Sequence, residues 1–189
     1  MTNTKDIIFR TFLDLLKEKP FDKITIRNIV ETAEINRNTF YYYYSDIYEL
    51  LEEMFTMEMN ELIANHSSGI RWLIGFLKML QTSYENKAII NNICSSRSYE
   101  YFETYMFKSC RIILTDYVHE ECKNNIDDDV LEFIISFYMN GITGALSEWF
   151  RTGMQDNPEQ IMKKFIVIFE GIISTLRRAE KRFKDEDED

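Results

Sequence analysis

Residue types able to do chemistry are unevenly spread along this 189-residue chain. Its two histidines, His66 and His119, form no ligand-spaced pair of the H-E-x-x-H kind. Cys94, Cys110 and Cys122 are odd in number and show no C-x-x-C spacing, which argues against a disulfide framework or a zinc knuckle. There is no G-x-S-x-G elbow, no P-loop and no dinucleotide glycine fingerprint. The 32 carboxylates are plentiful, but on helical surfaces such groups serve solvation. Catalysis is therefore not expected, nor is a metal or a cofactor. One stretch does concentrate functional groups: Asn36 to Asp46 reads N-R-N-T-F-Y-Y-Y-Y-S-D, with no carboxylate before its last residue. A tyrosine hydroxyl can hydrogen-bond a phosphate while its ring covers sugar edges, and Arg or Asn at a helix start can reach base edges in the major groove. The chemistry this stretch suits is recognition of duplex DNA.

That use requires a helix with two different faces. Asn36 can cap a helix beginning at Arg37, in which Phe40 and Tyr44 fall four residues apart on one side with Ile35 at the turn. Those are the expected core. Arg37, Asn38, Tyr41 and Tyr42 then fall largely on the other side, with Thr39 and Tyr43 near the boundaries. The competing reading packs every tyrosine against a neighbouring helix. Upstream, K-D-I-I-F-R-T-F-L-D-L-L-K-E-K places Ile8, Phe12, Leu15 and Leu16 on one helical face and is stopped by Pro20. T-I-R-N-I-V-E-T-A follows as a short helix capped by Thr25, with Ile26, Ile29, Val30 and Ala33 as its apolar stripe. A packing helix followed by two short helices and a tight turn is the layout of a helix-turn-helix module.

Charge supports this placement. The net charge is −10, yet residues 1–44 carry seven Lys/Arg against six acids, leaving −11 on the remainder. An acidic body with one less acidic end can approach a polyanion end-on. With only 6 Gly and 2 Pro, and 45% hydrophobic residues, an all-α protein is expected. No uninterrupted apolar run approaches membrane-spanning length and no leader-like apolar segment opens the chain, so a cytoplasmic protein with reduced thiols and no membrane partner is expected. The expected division is 1–47 for a helix-turn-helix DNA-binding domain, 48–183 for a larger helical dimerisation and effector domain, and 184–189 for a solvated acidic tail.

From Ile8 to Leu51 the pattern F-L-D-L-L, then P-F-D-K-I-T-I-R-N-I-V-E-T-A-E-I-N-R-N-T-F-Y-Y-Y-Y-S-D-I-Y-E-L-L, resembles the DNA-binding domain of the TetR/AcrR family of bacterial transcriptional regulators. The resemblance implies a three-helix DNA-binding domain on a larger helical domain that dimerises and often binds a small effector. It implies phosphate contact by Thr25 and Arg27, and base and phosphate contact by Arg37, Asn38, Tyr41, Tyr42 and Tyr43, with Asn36 and Thr39 completing the expected DNA-facing set. Two positions depart from the family. Glu34 stands where a turn glycine is preferred, so a non-glycine residue has to adopt a left-handed conformation. Ile47 stands where a lysine is usual, which removes one phosphate contact.

Further along, F-Y-M-N-G-I-T-G-A-L-S-E-W-F-R-T-G-M-Q-D-N-P-E-Q-I is similar to a branch of the same family that includes a regulator of dihydroxyacetone kinase. Gly153 reads as a helix stop, and Asn157-Pro158 as the start of the next helix. Gly141, Gly144 and Ala145 leave one helical face thin, with Trp149 further along the same helix. Phe165, Ile168, Phe169, Ile172, Ile173 and Leu176 form a stripe on the last helix. Two such helices from each of two chains would make a four-helix homodimer interface, the alternative being that the stripes close the monomer's own core. Trp72, Phe76, Met79, Phe102, Tyr105, Met106, Phe133, Phe137, Tyr138 and Met139 are candidates to line an effector cavity, since Met and aromatic side chains adapt to apolar ligands. The expected activity is that of a repressor bound as a homodimer to a palindromic double-stranded operator and released by a small apolar effector. The alternative is a helix-turn-helix-derived co-activator or anti-repressor acting through protein partners.

Overall fold

The computed structural model describes residues 3–64, 71–97, 99–121 and 126–186, and among these every regular element is helical. In chain order they are α1 (Thr4–Glu18), a 3-10 turn (Phe21–Lys23), α2 (Ile26–Thr32), α3 (Arg37–Tyr43), α4 (Ile47–Ala64), α5 (Arg71–Glu85), α6 (Lys87–Cys94), α7 (Tyr99–Glu121), α8 (Asp128–Arg151) and α9 (Pro158–Glu186). An N-terminal helix-turn-helix domain is followed by a C-terminal helical domain. The helix at the end of the chain continues to Glu186, into the segment expected as a tail; residues 187–189 lie outside the described residues.

Short helices need their ends satisfied, because one turn of hydrogen bonds does not offset the cost of nucleation. α2 and α3 have seven residues each, and both are capped by side chains. The Thr25 hydroxyl accepts from the Asn28 amide at 3.2 Å while the Asn28 side chain accepts from the Thr25 amide at 3.1 Å, a reciprocal capping box. The Asn36 side chain accepts from the Thr39 amide at 2.8 Å. Such a cap is worth about 0.5–2 kcal/mol. α4 opens the same way, with Asp46 accepting from the amides of Tyr48 and Glu49. Asn157 and Gln160 exchange hydrogen bonds of 2.9 Å at the start of α9.

The turn between α2 and α3 is made at Glu34, whose φ of 54° is left-handed as the departure from glycine requires. Between α8 and α9, Gly153 has φ 77° as its role of helix stop predicts. Met154 beside it also has φ 50°, which the sequence gives no reason to expect. Met154 is buried, and its carbonyl accepts from Lys87 Nζ at 3.2 Å.

Ile8, Phe12, Leu15 and Leu16 of α1 pack with Phe21, Ile29, Phe40 and Tyr44 in one buried cluster, Phe12 meeting Phe21 edge-on. The end of α1 carries an unusual debt. The Leu16 carbonyl would ordinarily accept from the amide four residues on, but that residue is Pro20, which has no N–H. Asn92 of α6 supplies the missing donor, its Nδ2 lying 2.8 Å from the Leu16 oxygen. Nearby, the Arg97 amide donates to Asp22 Oδ2 at 2.8 Å. Both bonds join the N-terminal domain to the segment around the end of α6.

In the C-terminal domain, Phe76 of α5 lies edge-on to Phe165 and Phe169 of α9, and the Tyr117 hydroxyl donates to the Phe169 carbonyl at 3.0 Å. Among the described residues α8 is the one helix long and apolar enough to cross a membrane by length and composition. Its buried residues, including Ile134, Ile135, Met139, Ile142 and Leu146, belong to the same core as α7 and α9.

Candidate nucleic-acid interface

α3 is divided as its spacing requires. Phe40 is fully buried and Tyr44 nearly so, and the burial of Tyr44, then the Glu53 carboxylate, pushes its phenol well above the ordinary tyrosine range. Lys5 completes this anchor, bridging Glu53 at 3.0 Å and standing over the Tyr44 ring. The opposite face presents Arg37, Asn38, Tyr41 and Tyr42 to solvent, with Thr39 and Tyr43 half-buried between. Tyr42 is 81% exposed, the most exposed large hydrophobic side chain among those described. Its ring stands edge-on to Tyr43 at 4.9 Å. The Arg37 guanidinium lies over the Tyr41 ring and donates to its hydroxyl at 3.1 Å, so an otherwise floppy cation is held along the helix surface.

The two positions implied for phosphate contact on α2 are already engaged within the chain. Thr25 spends its hydroxyl and its amide on the capping box. Arg27 Nε donates to Glu31 Oε1 at 2.7 Å, one helical turn on, and that carboxylate raises the guanidinium pKa through the hydrogen bond and then its charge. Asn36 spends its side-chain oxygen on the α3 cap. Ile47, in the first turn of α4, is half-buried and packs on the core.

The residues expected to line an effector cavity do not come together. Met79, Phe102 and Tyr105 do border one cavity, of about 260 Å³. Phe76 and Met106 are buried outside it. Tyr138 lies between α8 and α9, its hydroxyl 2.8 Å from that of Thr175. Phe133 and Phe137 face outward instead, 72% and 68% exposed, because the core side of α8 is taken by Ile134, Ile135 and Met139. The side chain of Trp72 lies outside the described residues.

The residues expected at a dimer interface also divide. Gly141, Gly144 and Ala145 are exposed, and a Cβ built on either glycine meets nothing within 4 Å. Trp149, Phe165, Phe169, Ile172, Ile173 and Leu176 are buried within this chain's own core. With the glycines, Phe133 and Phe137 form one outward stripe of α8, and Val167 and Ile168 are exposed on α9. The sequence pattern placed Phe133 and Phe137 inside, whereas they face outward, since helical spacing alone does not say which of two apolar faces a chain keeps for itself.

A capped helix-turn-helix that holds out an aromatic, Arg- and Asn-bearing helix on an all-helical body defines a DNA-binding transcriptional regulator. Comparison with known proteins gives the family. The model for bacterial regulatory proteins of the tetR family matches residues 8–54, and that for a transcriptional regulator C-terminal region of the same family matches residues 71–171. The chain belongs to the TetR family. A curated relative, the HTH-type dhaKLM operon transcriptional activator DhaS of Lactococcus lactis subsp. lactis (strain IL1403), is 32% identical over 100 residues, 52% of this chain and 54% of that protein. The match thus spans about half the length of that relative. A solved structure of a dihydroxyacetone kinase operon activator DhaS superposes with a TM-score of 0.71 at 25% identity, covering 94% of this chain and 98% of that one. A TetR transcriptional regulator from Streptococcus agalactiae 2603V shares the fold, with a TM-score of 0.67 at 21% identity over 88% of this chain and 93% of that chain. These relatives are regulators of transcription, and the protein is not an enzyme.

Proposed function

We propose that the chain works in the cytoplasm as a homodimer that binds a palindromic duplex operator through two copies of α3 and answers to a small-molecule effector. Residues 1–47 are the DNA-binding domain in this reading, and 48–183 carry dimerisation and effector binding. The observation that carries it is the face of α3: Arg37, Asn38, Tyr41 and Tyr42 are all exposed on a helix whose other side is anchored by Phe40 and Tyr44. Dimerisation is supported by the exposed stripe of Phe133, Phe137, Gly141 and Gly144 on α8, and by Val167 and Ile168 exposed on α9. An apolar face of this kind on a soluble fold calls for a partner, and a second copy supplies a self-complementary one. Two half-sites about 34 Å apart then fix the spacing of the recognition helices, and an effector that altered it would release the operator and so relieve repression.

A second reading concerns the sign of control. Two of the relatives are named as operon activators, which favours recruitment by the bound dimer over simple occlusion. Both readings need the same contact with DNA. Selecting bound genomic fragments, then measuring Arg37→Ala and Asn38→Ala on the selected site, tests it. Each change is expected to cost about 1–3 kcal/mol and to relax preference at particular base pairs. Unchanged affinity in two folded variants, with no salt dependence of duplex binding, would leave a module that acts through protein partners.

A further inference from the structure

The C-terminal half of α9 collects positive charge on a chain whose net charge is −10. Residues 177–182 read R-R-A-E-K-R, four cations to one carboxylate. Ser174, Arg177, Arg178 and Lys181 are exposed and fall at helical spacing on one face. With Glu170 they rim a groove of about 500 Å³ between α9 and α7, floored by the buried Tyr117 and Ile173. Elsewhere Lys5, Lys17, Arg27, Arg111 and Lys164 are each met by a carboxylate. Among the described residues Arg177, Arg178 and Lys181 are not, although Glu170 stands in the same groove.

Position in the fold separates this groove from the DNA-reading face. α7 meets the N-terminal domain at its start, where the Tyr101 ring lies 5.2 Å from that of Tyr48 and the nearby Arg97 amide donates to Asp22. From Tyr101 to Tyr117 the same helix rises about 24 Å. The groove thus opens far along the body from that contact, and DNA held by α3 leaves it open. Its length and surroundings select the class of polyanion. The rim from Glu170 to Lys181 runs roughly 16 Å, room for about five residues of extended chain. Residues 45–189 carry −11, a field that opposes a long duplex, whereas a short segment stays within about 8 Å of the cations, one Debye length at physiological salt. Glu170 would repel a continuous row of phosphates, and a phosphate backbone has no use for an apolar floor.

We propose that the α7–α9 groove docks a short acidic segment of a partner protein, one apolar side chain flanked by carboxylates. The carboxylates pair with Arg177, Arg178 and Lys181 in charge-assisted hydrogen bonds, and the Ser174 hydroxyl can donate to one of them. The apolar side chain lies on Ile173 and the Tyr117 ring. This goes beyond the DNA-binding reading and does not depend on it: the same dimer can hold DNA at one end and the acidic partner at the other.

The test titrates the full chain, by methyl NMR, with a short peptide that has leucine between two pairs of glutamates. The Ile173 methyls are expected to shift and those of Ile8, buried in the N-terminal domain, to stay. Arg177→Glu combined with Lys181→Glu should weaken peptide binding by at least about tenfold, and the same peptide with lysines for glutamates should bind this variant but not the parent chain. Should the double variant not fold, Arg178→Glu carries the same expectation of weaker binding. Lys163→Glu, exposed on α9 outside the groove, should leave the affinity within about twofold. No shift at Ile173, equal binding by the reversed variant, or equal binding of the lysine peptide to the parent chain would overturn the proposal. A random duplex that shifted Ile173 in place of the peptide would assign the groove to nucleic acid, and a reversed variant that lost its dimer by sedimentation would assign it to a second copy; either result overturns the proposal as well. Operator binding is not among the readouts, so a chain that passed them but bound no duplex would remove the DNA-binding reading and leave the docking groove standing.

Discussion

Gly144→Glu separates the stability of one chain from the association of two. The position is exposed on α8 and a Cβ there meets nothing within 4 Å, so the side chain projects into open space within a single chain. Replacing glycine in a helix interior by a good helix former should stabilise the folded chain by about 0.5 kcal/mol or more. For a domain of this size that raises Tm by roughly 1–2 °C. In a two-fold dimer built on this face the same change brings two carboxylates together. At a separation of about 8 Å and an effective dielectric constant near 20 their repulsion is about 2 kcal/mol, a roughly 30-fold weaker dimer before any desolvation of the carboxylates is counted. Sedimentation velocity over a concentration series, with thermal melts at a dilution where both proteins are monomeric, reads the two effects apart. A variant with unaltered dimer affinity would show that the α8 stripe is not the interface. A monomer that melts well below the parent chain would show that Gly144 is not open as described.

Glu31→Ala should release Arg27 from its 2.7 Å partner and return a cation to the phosphates; duplex affinity should rise severalfold and the log–log salt slope should steepen by roughly one unit. Identical titrations for the two proteins would mean that Arg27 does not reach DNA. Burial pushes the Cys94 and Cys110 thiols up to about 12, and Tyr105 to about 12 as well, while Tyr44 is also raised. An acid whose folded pKa exceeds its unfolded value contributes stability that is whole below the unfolded pKa and lost as pH climbs toward the folded one. Tm should therefore hold near neutral pH and fall between about pH 9 and 12, and a flat Tm to pH 10.5 would contradict this burial.

The N-terminal domain was legible because its signals are local. Thr25, Asn36 and Pro20 act within a few residues, Phe40 and Tyr44 follow from helical spacing, and Glu34 had to take a left-handed φ once the turn lacked glycine. The body was legible only as helices. Its α8 is apolar on two sides, and nothing in the order of Phe133, Ile134, Ile135 and Phe137 says which side the chain buries. Of the residues expected to line a cavity, Met79, Phe102 and Tyr105 border one whose further walls, Phe9 and Leu13, belong to the segment read as DNA-binding, a juxtaposition that spacing along the chain does not reveal. Pairings such as Asn92 with Leu16, and Arg97 with Asp22, join residues more than seventy apart and leave no trace in spacing.

The proline that ends α1 has a consequence for how such proteins can be recombined. Because Pro20 withholds an amide, the first helix finishes its hydrogen bonding only when a side chain from the body is present to donate to it. A DNA-reading head cut from this chain and grafted onto another regulator's body would carry an orphaned carbonyl wherever the new host lacks an amide donor at that place. Working chimeras should thus be those that transplant the α6 end together with the head, so that the unit of exchange is a discontinuous pair of segments and not the first fifty residues.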